Sequence, residues 1–318
     1  MPDSLTIVHI SDIHLHVGGW TRHQLLPRVH RPDREVVNAL ENQLRTQVAD
    51  TGQNALVAVL SGDLSLLGHE GDIGHARDWW NAESSGRSST YVLGNHDYWG
   101  GDITATISDS LAMHQRIFEM YRPPDSMPPL DVEGTRVRFY TIDTTPLRLV
   151  RNFLALGELR ESALTRLENE IRSDRESDRG TGLSVLRIVV MHHPMLVRFA
   201  RAGTIDKIRR RPPGATLRAM RRNPDIDNRF YSYGVGLVLA GHTHRWAVNI
   251  RDFRVIQAIS ASSTVSKPPG YWVHQLTPDG STKAFVESKR FEYQPDAEQF
   301  TLAEVLPPCE IFVEPPLS

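Results

Sequence analysis

Residues 5–14 read Leu-Thr-Ile-Val-His-Ile-Ser-Asp-Ile-His, and this stretch decides the fold. Leu5 to Ile10 is short, rich in β-branched residues and apolar on both faces. A strand with one wet face alternates apolar and polar side chains, whereas a strand covered on both sides does not. The pattern therefore predicts a central parallel strand. Asp12 and His14 follow it at once, where the strand runs out into a loop. Open α/β sheets place their active sites at such strand ends.

The arrangement recurs four times. Ala55 to Leu60 leads into Gly62-Asp63, and Thr90 to Leu93 into Gly94-Asn95-His96-Asp97. Val185 to Met191 leads into His192-His193-Pro194, and Gly236 to Ala240 into Gly241-His242-Thr243-His244. Between them, residues 35–50 have helical spacing, with Val36, Val37, Leu40 and Leu44 on one side. Helices are also predicted over 71–83, 103–121 and 158–175, and a strand over 137–143. Strands alternating with helices imply crossover connections. Residues 174–182 read as a solvated loop. From 246 to 287 the pattern changes to short strands split by Pro and Gly, including 255–259 and 271–276, which predicts a second sheet packed on the first. Residues 288–318 hold five prolines and read as an extended tail lying over the body. The expected organisation is a domain over 1–287 and a Pro-rich C-terminal extension over 288–318 packed on it.

The bulk numbers agree with an enzyme of this kind. The 318 residues are 40% hydrophobic and 23% charged, with a formal net charge of −2, which argues against a chain built to coat nucleic acid. The single cysteine, Cys309, has no partner for an intramolecular disulfide and fits a reducing compartment. No basic, apolar leader opens the chain and no apolar run reaches a membrane span, so a cytoplasmic location is expected.

The motifs share one chemistry. Carboxylate, carboxamide and imidazole groups without thiolate suit Mn, Fe or Zn, and two such ions can clamp a phosphoryl group from both sides. The ordered set D-x-H, G-D, G-N-H-D, H-x-P, G-H-x-H resembles the calcineurin-like metallophosphoesterase family across residues 5–287, with every ligand position matched. The resemblance implies a four-layer α/β/β/α sandwich of two mixed β-sheets flanked by helices. It implies that Asp12, His14 and His244 hold one of two divalent or trivalent ions and Asn95, His192 and His242 the other, with Asp63 bridging both. A metal-bound hydroxide would attack phosphorus while His96 faces the leaving group, and Asp97 would support the ligands rather than join them. An extended backbone through D-x-H and G-H-x-H would aim both side chains of each pair the same way. One departure stands out: Leu66 occupies the place, three residues after Asp63, where many members carry Asp or Asn to orient the histidine.

The implied activity is hydrolysis of a phosphodiester of the cyclic nucleotide or glycerophosphodiester type. A phosphomonoesterase or nucleotide pyrophosphatase is the alternative; a DNA nuclease and a scaffold without chemistry rank below it. The nine other histidines are surface or structural by default, with His193, His16 and His23 the ones placed to line a cleft. One of Trp79 and Trp80 is expected in the core. Residues 198–222 carry nine Lys or Arg against one acid, Asp206. Such a run is usually a solvated face, but it is tethered between the fourth and fifth motifs. Arg209, Arg210 and Arg211 are therefore candidate contacts for an anionic small substrate. Nucleic acid is a weaker candidate, since no aromatic residues interleave the charges.

Overall fold

In chain order the elements begin β1 (Leu5–Ile10), α1 (Arg34–Asp50), β2 (Ala55–Ser61), α2 (Glu70–Glu83) and β3 (Ser88–Val92). They continue through β4 (Leu130–Val132), β5 (Thr135–Ile142), α3 (Glu161–Asp178), β6 (Ser184–Met191), α4 (Asp225–Ser232) and β7 (Val235–Ala240). The last are β8 (Ala247–Arg251), β9 (Val255–Ile259), β10 (Gly270–Asp279), β11 (Lys283–Gln294) and β12 (Gln299–Phe312). The computed structural model describes residues 1–16, 33–50, 55–66, 68–98, 115–117, 119–121, 127–145, 157–194, 225–244, 247–251, 255–259, 264, 268–280 and 282–317.

The strands form two six-stranded mixed sheets, ordered β12-β11-β10-β1-β2-β3 and β4-β5-β6-β7-β9-β8. In the first, β1, β2 and β3 run parallel; in the second, β5, β6, β7 and β9 do. Apolar side chains on both faces of the central strands build three cores, which is why the molecule has four layers. Val8, Ile10, Ala58 and Leu60 meet Val36, Leu40 and Leu44 of α1 and Ile73 and Trp80 of α2. On the opposite face, Leu5, Ile7, Val57 and Val59 meet Phe139, Ile188, Val190 and Leu239 of the second sheet. Beyond that sheet, Tyr140, Val189 and Val238 pack on Leu164, Leu167 and Ile171 of α3 and Phe230 of α4. The expected α/β/β/α sandwich of two mixed sheets is the architecture found. Of the tryptophan pair, Trp80 is core, while Trp79 is partly buried and donates its indole N–H to Glu41 at 2.7 Å.

Three expectations are corrected. The second sheet is only partly built from residues 246–287: β8 and β9 join β4 to β7 in it, whereas β10 and β11 return to the first sheet beside β1. The reason is that β6 and β7 carry much the same two-sided apolar pattern as β1 and β2, so crossing from one sheet to the other leaves no local signal. The solvated loop at 174–182 begins later, because α3 continues to Asp178. Asp174 and Asp178 accept from Tyr140 and from Arg136 and Arg138, and those tertiary bonds hold the extra turn. The segment from 288 onward is not a strap over the surface, and the boundary expected at 287 falls inside β11. Residues 299–312 are the edge strand of the first sheet, paired antiparallel with β11. Pro307 and Pro308 sit opposite Glu287 where the register shifts between Val286 and Ser288, a bulge on an edge strand being the place a ladder tolerates proline. Of the helix expected over 103–121, residues 115–117 and 119–121 are helical and the rest lie outside the described residues.

The chain end then crosses to the second sheet. Glu314 and Val185 exchange backbone hydrogen bonds of 2.8 and 2.9 Å, and the Glu314 carboxylate pairs with the wholly buried Arg187 and with Arg175. No helix among the described residues is long and apolar enough to cross a membrane.

Two buried histidines make a pH prediction. His9 on β1 and His274 on β10 lie in wholly buried positions, ring centroids 5.7 Å apart. Burial pushes His274 down to about 3 and, with His274 beside it, His9 well below the usual range. Below pH 6.5 the unfolded chain takes up protons that the folded rings refuse, so stability falls as pH drops from 6.5 toward 3. The slope is about 1.4 kcal/mol per pH unit for each ring. Urea unfolding of His274→Gln between pH 7 and 4 should be flatter than that of the unsubstituted protein by one ring's share; parallel curves would refute the assignment.

Candidate metal centre

Every motif lies just beyond the end of its strand, and the five strand ends meet along one edge of the sandwich. The first sheet brings Asp12 and His14 after β1, Asp63 after β2, and Asn95 and His96 after β3. The second brings His192 after β6 and His242 and His244 after β7. Asp12, His14, Asn95 and His192 are wholly buried, and Asp63 nearly so.

Two groups of donor atoms result. In one, ligand atoms of Asp12, His14, Asp63 and His244 lie within 4.8 Å of one another; in the other, those of His192, His193 and His242 do. Asp63 joins them. Its Oδ2 stands 3.7 Å from His14 Nε2 and 3.3 Å from His192 Nε2, while its Oδ1 accepts the His96 backbone N–H at 2.9 Å. Asn95 Oδ1 and His242 Nδ1 are 3.1 and 3.2 Å from the same His192 Nε2. His244 Nε2 faces Asp12 Oδ1 at 3.4 Å.

The backbone at these positions is not extended, contrary to the sequence expectation. Asp12, His14, Asp63, His242 and His244 all have φ between 51° and 72°, the left-handed region that side chains other than glycine rarely adopt. Each such residue costs on the order of 1–3 kcal/mol and persists only where its surroundings dictate it. Here the dictation is visible: Asp12 N–H bonds to Gly62 O, His14 N–H to Asp63 O and Leu15 N–H to Leu64 O, which carries the β1–β2 pairing through both turns. Thr264 Oγ1 donates to the Ile13 carbonyl at 2.7 Å and closes the turn from the other side. Gly62, at φ +97°, has no room for a side chain; a Cβ there would lie 2.3 Å from His192 Nδ1.

The electrostatics fit cations. Burial works against charge on Asp63, yet His192, His96 and His14 hold its carboxyl well below the usual range. Burial likewise opposes protonation of His192, but Asp63 and then Asp12 lift it to about 9. The Ser61 carbonyl, 2.8 Å from His192 Nδ1, can only accept, so Nδ1 carries a hydrogen, and Nε2, which faces Asn95, His242 and Asp63, carries the second proton, the one a metal ion would displace. These groups already hold a positive charge among them, and oxygen with imidazole nitrogen is a donor set that first-row metals accept.

Around the donors, His96 Nδ1 lies 2.9 Å from the Leu66 carbonyl. The side chain absent at position 66 is thus replaced by that residue's own backbone, and His96 keeps a fixed ring. Asp97 is a tie between loops: it accepts from the backbone N–H of Leu64, Ser65 and Gly94 and from Ser65 Oγ. Burial and the nearby Asp63 push it up to about 7 against those donors. His193 is wholly buried, its ring centroid 4.4 Å from that of His242, and Thr144 Oγ1 takes its N–H and meets its Nδ1, both at 3.0 Å. Ser61, Thr144 and Thr264 carry no signal in the sequence, because each acts through a contact distant along the chain. His16 pairs with Asp72 at 2.8 Å beside α2. His23, Arg209, Arg210, Arg211 and the rest of residues 198–222 lie outside the described residues.

A two-sheet sandwich with paired donor sets at its strand ends defines a dimetal-type phosphoester hydrolase scaffold. The calcineurin-like phosphoesterase family model matches residues 5–246, more than half of the chain, and the protein belongs to that family. Among solved structures it is similar to a dimetal phosphatase from Danio rerio, at 12% identity over 98% of this chain and 99% of that one, with a TM-score of 0.56. It is also similar to a 5'-nucleotidase from Candida albicans, at 13% identity over 86% of this chain and 48% of that one, with a TM-score of 0.44. No curated protein matches the chain.

Proposed function

We propose that this protein is a binuclear metal-dependent phosphoesterase that hydrolyses a phosphodiester of the cyclic nucleotide or glycerophosphodiester type. The observation that supports it is the convergence of two donor sets on the single Asp63 carboxylate, with His96 beside them. In this reading Asp12, His14 and His244 hold one ion, Asn95, His192 and His242 the other, and Asp63 spans the pair; Mn, Fe or Zn would suit. When bound, two such ions supply a nucleophilic water near neutral pH and positive charge against the phosphoryl oxygens. Asn95 contributes a neutral oxygen, so the centre keeps net positive charge for an anionic substrate. The Leu66 carbonyl fixes His96 Nδ1, and Nε2 would give a proton to the leaving-group oxygen from the imidazolium form, which burial opposes and Asp63 favours, or would stabilise its charge. His193, held by Thr144 against His242, is the further candidate for contact with substrate. A small phosphorylated substrate and a cytoplasmic setting complete the reading, with Arg209, Arg210 and Arg211 as outer contacts.

The diester preference rests on resemblance to compact family members with G-N-H-D and G-H-T-H motifs, which often act on such diesters; the metal ligands themselves do not separate diester from monoester. Initial rates on bis-nitrophenyl and mono-nitrophenyl phosphate, with metal-stripped protein reloaded with Mn, test it. The diester should be the faster substrate. A faster monoester would move the assignment to a phosphomonoesterase or nucleotide pyrophosphatase.

His96→Ala should keep both ions and lose about 10²–10⁴-fold in rate on a diester with a poor leaving group. The loss should shrink with nitrophenolate, which leaves without a proton. Equal losses on both substrates would remove the proton-donor role.

A further inference from the structure

Beneath the donor atoms lies a second polar layer, outside all five motifs. Ser61 ends β2, and its carbonyl accepts from His192 Nδ1 at 2.8 Å and from Ser11 Oγ at 3.2 Å. The Ser61 hydroxyl donates to the Ile10 carbonyl at 3.4 Å, so toward His9 Nε2, 2.9 Å away, it is the acceptor. His9 therefore carries a hydrogen on Nε2. His9, Ser11, Ser61 and His192 are all wholly buried. The layer has no slack on its far side, since a Cβ on Gly241 would lie 1.7 Å from Ser11 Oγ and 2.8 Å from the Ser61 carbonyl.

From this chain of contacts we infer that His9 and Ser61 are positioning residues for His192. The His9 N–H pins the Ser61 side chain between β1 and β2. The pinned residue holds its carbonyl against His192 Nδ1, and that bond sets both the tautomer and the aim of Nε2. Partners behind a metal-ligating imidazole act in this way, and their loss typically costs 10–100-fold in metal affinity. The inference rests on the metallophosphoesterase reading of the centre and deepens it, because it ties an inter-sheet histidine to one donor set and not the other. A histidine that merely filled the core would touch both sets alike, through stability.

Cobalt(II) titration of metal-stripped protein separates the cases, read by ion stoichiometry and by the visible absorption of each bound cobalt. His9→Phe and Ser61→Ala should each weaken, by about tenfold or more, the ion that Asn95→Ala also weakens, and should alter its spectrum. The other ion should titrate as before. His9→Gln, which restores an N–H toward Ser61, should behave as the unsubstituted protein. Ser61→Ala removes one hydroxyl and keeps the carbonyl, so it carries the test if His9→Phe does not fold. Two ions bound with unchanged affinity in both variants would overturn the inference alone. So would equal weakening of both ions in step with a lowered melting temperature of the metal-free protein. An unsubstituted protein that takes up no cobalt would remove the metal centre and this inference together.

Discussion

Asp63→Asn should strip the protein of its paired ions and lower kcat/KM on a phosphodiester by roughly a thousandfold. The substitution is close to isosteric and leaves an acceptor for the His96 N–H, so the turn after β2 has no reason to move. What it removes is charge on the one atom that faces both donor sets, Oδ2, which lies 3.7 Å from His14 Nε2 and 3.3 Å from His192 Nε2. Two cations a few ångströms apart repel, and a shared carboxylate offsets that repulsion. Charge stabilisation by such ions supplies several kcal/mol of transition-state binding, and about 1.4 kcal/mol is a factor of ten in rate. Metal analysis after dialysis, with rates on the same samples, checks both halves. A variant that retains two ions and stays within tenfold of the original rate would refute the bridging role.

The second large effect lies at the opposite end of the strands. Glu314→Ala should destabilise the fold by about 3–5 kcal/mol, because it leaves the guanidinium of Arg187 buried without its carboxylate. Among the described residues no other carboxylate pairs with Arg187. Removing one partner of a buried pair is costly even where the intact pair adds little, since the remaining charge has lost its water. The double variant Arg187→Met/Glu314→Ala should recover much of the loss, the outer face of β6 being otherwise apolar. Thermal and urea unfolding of the single and double variants decide it. A single variant within about 1 kcal/mol of the original, or a double variant worse than the single, would reject the account.

The site was far more legible in the sequence than the routing of the chain. Metal-type donors must be particular residue types, and here they follow directly on strands whose two-sided apolar runs mark themselves, so Asp12, Asp63, Asn95, His192 and His242 stand out. Sheet membership is decided by partners far away in sequence. Nothing local in Val185–Met191 separates it from Leu5–Ile10, although they lie in different sheets. The tail misled for a related reason: Pro307 and Pro308 argue against a ladder until the bulge opposite Glu287 is seen. Backbone acceptors were invisible. Leu66 looks like the loss of an orienting group, yet its carbonyl orients His96 whatever side chain it bears. The left-handed turns were missed because aspartate and histidine do not advertise them as glycine would.

In the proposed assignment each ion draws on both sheets: His244 joins Asp12 and His14, while His192 and His242 join Asn95. Neither proposed ligand set is complete in the first hundred residues alone, nor in the segment from β6 to β7. During refolding the high-affinity centre would therefore form late, after contacts such as Asp12 to His242, 230 residues apart, have closed, a slow class of event for loop-closure reasons. Ion capture then becomes a clock for that docking step, and a ribosome-bound chain would acquire its ions only after β7 had emerged.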